Sequence, residues 1–209
     1  MNIAITFDDG PCEKTDLLLQ TLAENNVKAT FFLIGQNITA FPEQASRIFA
    51  AGHEIGNHSG SFTPLGVKGG SPSKEIIRGS LDAASATIRA VTGTDPICFR
   101  APNLDYSDTL ESAAGEMGMV LIGADVSSKD WEKSITTEEI INNVLNAAKD
   151  GGIILLHEHH GGDTERTIRA VPVIVRELCA RGYEIMSVSG LVQKKGGKLE
   201  AGKRYDNIN

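Results

Sequence analysis

Short apolar runs alternate along the chain with longer segments in which apolar residues recur every three or four positions. The short runs predict strands and the longer segments predict helices. Seven strands are predicted, at residues 2–7, 28–34, 53–57, 97–100, 119–124, 152–157 and 183–188. Six helices are predicted between them, at residues 15–25, 41–51, 73–91, 107–117, 137–149 and 164–181. This alternation is typical of an α/β fold with a parallel sheet and outer helices, either an open doubly wound sheet or a (β/α) barrel.

The length of 209 residues predicts one domain, and no internal repeat or linker divides it. We expect a catalytic domain over residues 1–193 and a tail over residues 194–209, which is rich in glycine and charge. The tail is expected to pack loosely over the surface or to lead to a neighbour in a longer protein. Residues 59–72 form a loop rich in Gly, Ser and Pro, of the kind that borders binding sites.

Composition excludes several classes of partner. The net charge is −7 and the pI is about 5.2, which argues against nucleic acid and anionic membranes as partners. No apolar run approaches membrane-spanning length, and no basic region followed by an apolar stretch marks a signal peptide. A cytoplasmic location is expected if Met1 is native, and a secreted one if the chain is cut from a longer protein.

The first predicted strand ends in two adjacent aspartates, Asp8 and Asp9, and Gly10-Pro11 then turns the chain. Two neighbouring carboxylates destabilise a fold unless a cation or a proton separates their charges. The alternative interpretation is an ordinary turn with solvated side chains. The pair alone does not decide between a site and a turn.

Further ionisable residues lie at the ends of four other predicted strands, namely His58, Arg100, Asp125 with Asp130 beyond it, and His157. In a parallel barrel the carboxyl ends of all strands face one rim, so these side chains are predicted to meet. Each one alone is more often structural than functional. Together they offer a carboxylate and an imidazole for a divalent metal, a second carboxylate as base, a cation beside it, and a carboxylate–imidazole pair as acid.

Five sequence motifs occur in order along the chain. They are Thr6-Phe7-Asp8-Asp9-Gly10-Pro11, His58-Ser59-Gly60-Ser61, Phe99-Arg100-Ala101-Pro102, Asp130-Trp131 and Leu155-Leu156-His157. With these motifs the chain resembles the polysaccharide deacetylase family of carbohydrate esterases, which is built on the NodB homology domain. The resemblance covers essentially the whole domain. It implies a distorted parallel barrel, usually with seven strands, and a metal-dependent hydrolase that acts on acetylated polysaccharides or oligosaccharides.

The resemblance assigns a metal site and a general base. It makes Asp9 and His58 ligands of one divalent ion, zinc or cobalt, and Asp8 the base, with Arg100 positioning and ionising it. Such an ion acidifies water and polarises the substrate carbonyl.

The resemblance also assigns the acid and the walls of the pocket. It makes His157 the general acid and Asp130 the residue that orients and charges it. Trp131 and Leu155 are implied to enclose the acetyl methyl group, and the backbone N–H of Asn103 to face the developing oxyanion.

The chain departs from the family pattern at Phe62, where most members carry a second histidine as third protein ligand. A phenylalanine cannot bind a metal, so we expect a weaker and more hydrated site. Some members similar to acetylxylan esterases also have an aromatic residue here. His159 and His160 are interpreted as polar loop residues, with metal ligation as the alternative, and His53 is interpreted as structural.

Three functions are compatible with these residues. The favoured one is an esterase that removes O-acetyl groups from xylan or xylooligosaccharides, because Phe62 and Asn103 are similar to the acetylxylan esterase members. The second is an N-deacetylase of chitin-type or peptidoglycan glycans. The third, a sugar-binding module without activity, is disfavoured by the complete set of ionisable residues. The chain is expected to be a monomer or one domain of a modular enzyme.

Overall fold

A computed structural model of the protein describes residues 1–159 and 164–209. The described chain contains nine short strands: β1 (Asn2–Asp8), β2 (Thr30–Leu33), β3 (Glu54–Asn57), β4 (Cys98–Phe99), β5 (Val120–Ile122), β6 (Val126–Ser127), β7 (Ile153–His157), β8 (Glu184–Met186) and β9 (Arg204–Tyr205). Its α-helices are α1 (Thr15–Glu24), α2 (Gly35–Ala40), α3 (Pro42–Ala50), α4 (Lys74–Thr92), α5 (Asp108–Glu116), α6 (Thr137–Ala147), α7 (Thr164–Ala180) and α8 (Val188–Lys195). A single 3₁₀ turn, Pro102–Leu104, follows β4.

All the strands pair in parallel, in the order β6-β7-β1-β2-β3-β4-β5-β9. The first half of β1 pairs with β8 and the second half pairs with β2, along the same edge of β1. Strand β7 pairs along the opposite edge. The sheet curls into an incomplete barrel with helices outside, which confirms the predicted distorted parallel (β/α) barrel. The structure adds two short strands, β6 and β9, to the predicted seven.

Side chains alternate along β1 between two apolar layers. Ile3, Ile5 and Phe7 belong to the core between the sheet and the helices, whereas Ala4 packs into the barrel interior with Phe32. Because successive side chains of a strand point to opposite faces, Thr6 and Asp8 share the interior face with Ala4. The alternation therefore carries Asp8 into the barrel at its carboxyl end.

Several helix ends follow local sequence signals. Thr136 and Glu139 form a reciprocal capping box at the start of α6, and Gly93 ends α4 in the left-handed conformation that glycine adopts without steric cost. Within the described ranges, none of the helices combines the length and the apolar character needed to cross a membrane.

The tail joins the sheet instead of packing loosely. Strand β9 extends the edge of β5, Asn207 bridges to Gly152, and Ile208 is buried with its N–H on the carbonyl of Gly151. The expectation of loose packing is wrong because the tail supplies a partner for an open sheet edge, whose free N–H and C=O groups favour pairing.

Candidate active site

The carboxyl ends of β1, β3, β4 and β7 meet around a cleft of about 410 Å³. Seven of the nine predicted site residues line this cleft: Asp8, Asp9, His58, Asn103, Trp131, Leu155 and His157. The other two, Arg100 and Asp130, are buried behind it, and each bonds to a lining residue. The structure thus brings all nine residues together.

A buried arginine holds Asp8. Arg100 has no exposed surface, and its Nη1 donates to Asp8 Oδ1 and to Thr6 Oγ1, both at 2.7 Å. Its Nη2 and Nε donate to the carbonyls of Gly123 and Ile122 at 2.7 and 3.1 Å. Since a guanidinium keeps its proton in proteins, it holds a fixed positive charge beside this carboxylate.

His58 lies between the two aspartates. Its Nε2 is 3.3 Å from Asp9 Oδ1 and 3.7 Å from Asp8 Oδ2. Its Nδ1 is 2.7 Å from the carbonyl oxygen of Arg100. A carbonyl only accepts, so Nδ1 donates, and a neutral ring then presents the lone pair of Nε2 to the cleft.

The pKa values of this pair move in opposite directions. Burial acts to lower the pKa of His58, but the charges of Asp8 and Asp9 outweigh it and the pKa is raised. Burial acts to raise the pKa of Asp9, but the hydrogen bond and charge of His58 outweigh it and the pKa is lowered. The negative charges of the two aspartates thus favour a cationic group between them. A divalent ion bound to Asp9 and His58 would neutralise these charges in the same way.

Asp9 is aimed into the cleft by an unusual backbone. Its φ of 71° lies in the left-handed region, which aspartate tolerates better than most residues but which still strains the chain. Asn37 Nδ2 donates to the carbonyl of Asp9 at 2.7 Å and holds this conformation. Strain of this kind persists only where the surroundings fix it.

His157 and Asp130 form a second pair on the opposite side. His157 Nδ1 donates to Asp130 Oδ1 at 2.7 Å, and Asp130 Oδ2 accepts from the backbone N–H of His157 and from Thr167 Oγ1. Burial acts to lower the pKa of His157, but the charge and hydrogen bond of Asp130 outweigh it and raise the pKa to about 9. His157 is therefore an imidazolium near neutral pH, with Trp131 edge-on at 5.3 Å.

No third ligand joins Asp9 and His58, the two predicted metal ligands, within the described residues. Over residues 1–159 and 164–209 no group of three His, Cys, Asp or Glu side chains is arranged to hold a metal ion. Phe62 lines the cleft with 46 % of its surface exposed, and its ring centre lies 6.3 Å from that of His159. His160 lies outside the described residues.

His53 agrees with its structural interpretation. It is buried at the amino end of β3, and its Nδ1 accepts the backbone N–H of Ala29 at 3.1 Å. Burial lowers its pKa to about 4, so the ring is neutral.

Three residues near the cleft carry no sequence signal of their own. Lys68 lines the cleft from the loop over residues 59–72, and buried Asp105 accepts three backbone N–H groups of that loop. Glu158 is buried directly after His157 and accepts a hydrogen bond from Thr15. The composition of the loop over residues 59–72 predicted that it borders a binding site. Only the three-dimensional path of the loop shows which of its side chains face the cleft.

Comparison with known proteins identifies the family. A family model for polysaccharide deacetylases matches residues 1–122, more than half of the chain. The chain therefore belongs to the polysaccharide deacetylase family. This membership confirms the predicted class of enzyme, a hydrolase of the carbohydrate esterase type whose family members use a divalent metal ion.

Individual relatives differ in substrate. The chain is 35 % identical over 195 residues to a bifunctional xylanase/deacetylase of Pseudobutyrivibrio xylanivorans, covering 93 % of this chain and 31 % of that protein. It is 32 % identical over 195 residues to a peptidoglycan-N-acetylglucosamine deacetylase of Bacillus cereus, covering 91 % of this chain and 68 % of that protein. Among solved structures, a family 4 acetyl xylan esterase from Clostridium thermocellum in complex with a cobalt ion superposes with a TM-score of 0.92 at 34 % identity, over 100 % of this chain and 99 % of that one.

Proposed function

We propose that the chain is a metal-dependent deacetylase that hydrolyses O-acetyl esters on xylan or xylooligosaccharides. The observation that carries this proposal is the pair of opposed proton-transfer groups at one cleft. Asp8 is held by Arg100, and His157 is held by Asp130. One is suited to accept a proton and the other to donate one, which is what hydrolysis of an acyl group needs.

The residues fit a divalent metal. Asp9 Oδ1 and His58 Nε2 lie 3.3 Å apart at the cleft, and Nδ1 of His58 is already occupied. A carboxylate oxygen and an imidazole nitrogen with a fixed tautomer are normal ligands of zinc and cobalt. The metal would supply Lewis acidity toward the acetyl carbonyl and toward water.

The protein groups divide the proton transfers between them. Asp8 takes a proton from the attacking water, and the new C–O bond converts the acetyl carbonyl into an oxyanion. Asn103 is the second residue of the 3₁₀ turn, so its backbone N–H has no hydrogen-bond acceptor within the turn. This N–H is therefore suited to donate a hydrogen bond to the oxyanion. His157 then donates its Nε2 proton to the sugar oxygen as the ester C–O bond breaks, leaving acetate.

The xylan substrate is supported by similarity and by two residues. The chain resembles the acetyl xylan esterase and the xylanase/deacetylase at about one third identity. Phe62 and Asn103, which favoured this substrate from the sequence, both line the cleft. The low share of the xylanase/deacetylase that the chain covers also supports a role as one domain of a modular enzyme.

Release of acetate from acetylxylan and from N-acetyl chitooligosaccharides, with and without chelator, tests the proposal. We expect release from acetylxylan, loss of release with chelator, and recovery on adding zinc or cobalt. Preferential release from the chitooligosaccharides would support the alternative, an N-deacetylase, which the similarity to the peptidoglycan deacetylase favours. Full activity in metal-free protein would exclude the mechanism.

The substitution Phe62→His tests the metal site without relying on activity. If Phe62 stands where a third ligand would lie, an added imidazole should tighten zinc binding about tenfold or more. Calorimetric titration of zinc into the wild type and the variant measures this, with Phe62→Leu as the control that adds no ligand. Equal affinity in all three proteins would show that position 62 does not face the ion.

A further inference from the structure

We infer that Lys68 is a specificity residue that binds a carboxylate on the substrate, so that the enzyme prefers acetylated saccharides carrying an acidic group near the acetyl ester. This inference rests on the proposed deacetylase function. The chemistry that Lys68 would recognise is a sugar carboxylate, such as a uronic acid branch on xylan or the lactyl carboxylate of muramic acid.

Within the part of the chain that the structure describes, Lys68 is the one lysine or arginine that lines the cleft. Its Nζ makes no ion pair or hydrogen bond with the described residues, although the chain has more acidic than basic residues. Some surface lysines, such as Lys74 and Lys195, are paired with carboxylates, and others, such as Lys198, have no such pair among the described residues, so the feature that sets Lys68 apart is its position on the cleft. A positive charge at the mouth of a substrate cleft attracts anionic ligands and raises their local concentration.

The carboxylates of the cleft do not neutralise Lys68. Asp8 is paired with Arg100 at 2.7 Å, and Asp9, which lies 3.3 Å from His58, is assigned with it to the divalent ion. Asp130 is buried and bonded to His157. Among the described residues, each acidic group of the site thus has its own protein partner or the proposed ion, which leaves the ammonium group of Lys68 for a ligand.

The backbone that carries Lys68 is fixed. Asp105 is 4 % exposed, and its carboxylate accepts the N–H groups of Gly66, Lys68 and Gly69 at 3.0, 2.9 and 3.1 Å. A carboxylate that accepts three N–H groups forms strong, charge-assisted hydrogen bonds.

Glycine is required for this anchor. A Cβ on Gly66 would lie 2.3 Å from the carbonyl oxygen of Asp105. The turn is closed by hydrogen bonds from Gly70 to Val67 and from Ser71 to Gly66.

Asp105 also ties this loop to the catalytic rim, because it directly follows the 3₁₀ turn that contains Asn103. The loop and the proposed oxyanion amide are therefore held in one unit. An ion pair of Lys68 with a substrate carboxylate would form beside the reacting ester, on a preorganised backbone, which limits the entropy lost on binding.

The test compares three xylooligosaccharides that carry the same acetyl group: a neutral one, one with a glucuronic acid branch on the neighbouring xylose, and the methyl ester of that branch. We expect the zinc-loaded wild type to show kcat/KM about three- to tenfold higher on the acid than on its methyl ester, within the range of partly exposed ion pairs. The preference should act on KM and shrink at 0.5 M salt because exposed charges are screened.

Substitutions then assign the preference to Lys68. Lys68→Met should reduce the acid-to-ester ratio to about one, Lys68→Arg should keep it, and Lys68→Glu should invert it. Lys198→Met is the matched control, because it removes the same charge from an exposed position away from the cleft. It should leave the ratio unchanged.

A second pair of substrates distinguishes the two sources of carboxylate: acetylated muramic acid saccharides with a free lactyl group and with its methyl ester. The pair that shows the larger Lys68-dependent ratio identifies the source. A ratio of one in the wild type for both pairs, or equal ratios in wild type and Lys68→Met, would overturn the inference while the deacetylase function stands. No acetate from any saccharide would instead contradict the proposed function itself.

Discussion

The two proposed proton-transfer groups, Asp8 and His157, each have one buried charged neighbour. The Arg100 guanidinium fixes a positive charge at Asp8, and the Asp130 carboxylate fixes a negative charge at His157. Because both neighbours are almost completely buried, water does not screen these charges as it would at the surface. Exchanging either neighbour should therefore change the chemistry of the group that it holds.

The substitution Asp8→Asn should remove the proposed base and leave zinc binding intact. Asn cannot accept the proton of the attacking water, so kcat should fall on the order of a hundred- to ten-thousandfold. Asp9 and His58 remain, so calorimetric zinc affinity should stay within a few-fold of the wild type. Loss of zinc binding in parallel with activity would mean that Asp8 is a metal ligand and not the base.

The substitution Asp130→Asn should shift the pH dependence of activity. In the proposed mechanism His157 donates a proton, so activity should fall as the pH rises through the pKa of His157, which Asp130 helps raise to about 9. Without the negative charge of Asp130 the pKa falls, and the alkaline limb of kcat/KM should move to lower pH by about one to two units. Profiles on one acetate ester measure the shift. An alkaline limb at the wild-type position would assign it to another group.

At the scale of elements, Glu158 connects β7 to the turn after β1. Its Oε1 accepts the hydroxyl of Thr15, and its Oε2 is buried without a partner among the described residues. A Cβ on Gly10 would lie 1.8 Å from Oε2, so only glycine admits this carboxyl. Burial raises the pKa of Glu158 to about 8. The acid is thus neutral over most of the physiological range.

This raised pKa predicts a pH-dependent stability. The folded protein binds the proton of Glu158 more tightly than the unfolded chain does. The resulting stabilisation is complete below a pH of about 4.5 and is lost as the pH rises toward about 8. Glu158→Gln removes this dependence, so the wild type should lose about 1.4 kcal/mol relative to the variant per pH unit inside this window.

Urea unfolding of metal-free wild type and Glu158→Gln at pH 5, 6, 7 and 8 checks the prediction. Glu138→Gln, at an exposed position of α6, is the matched control and should show no such trend. Parallel curves for wild type and Glu158→Gln would mean that Glu158 is ionised in the folded protein.

The sequence predicted the longer helices and strands, and it predicted that ionisable residues meet at the carboxyl ends of the strands. Both features follow from simple sequence patterns. A run such as Asn2–Asp8 is mostly apolar, and four of the five motifs place their ionisable residues at or directly after strand ends. Strands β6 and β9 have two residues each, too few to show a period, and they exist because longer neighbours offer them an edge. The positions of Lys68, Asp105 and Glu158 depend on loop paths that no local pattern encodes.

On the scale of the whole molecule, the last residues are part of the barrel. Deleting residues 196–209 removes β9 and the buried side chain of Ile208. Since burying a large apolar side chain contributes about 1.5–3 kcal/mol, the free energy of unfolding should fall by roughly 3 kcal/mol or more. Denaturant titration measures the loss, and deletion of exposed Asn209 alone is the control. Equal stability of the truncated and full chains would show that the tail contributes nothing.

The position of β1 between β2 and β7 predicts an order of events during folding. The proposed metal ligands, Asp9 and His58, directly follow strands β1 and β3, which pair through β2 within the first 58 residues. The proposed acid comes from β7, and the contact of Thr6 with Ile154 that docks β7 on β1 spans 148 residues. Contacts this distant in sequence form slowly, because a long loop must close first. We therefore expect a refolding chain to regain affinity for its metal ion before it regains hydrolytic activity.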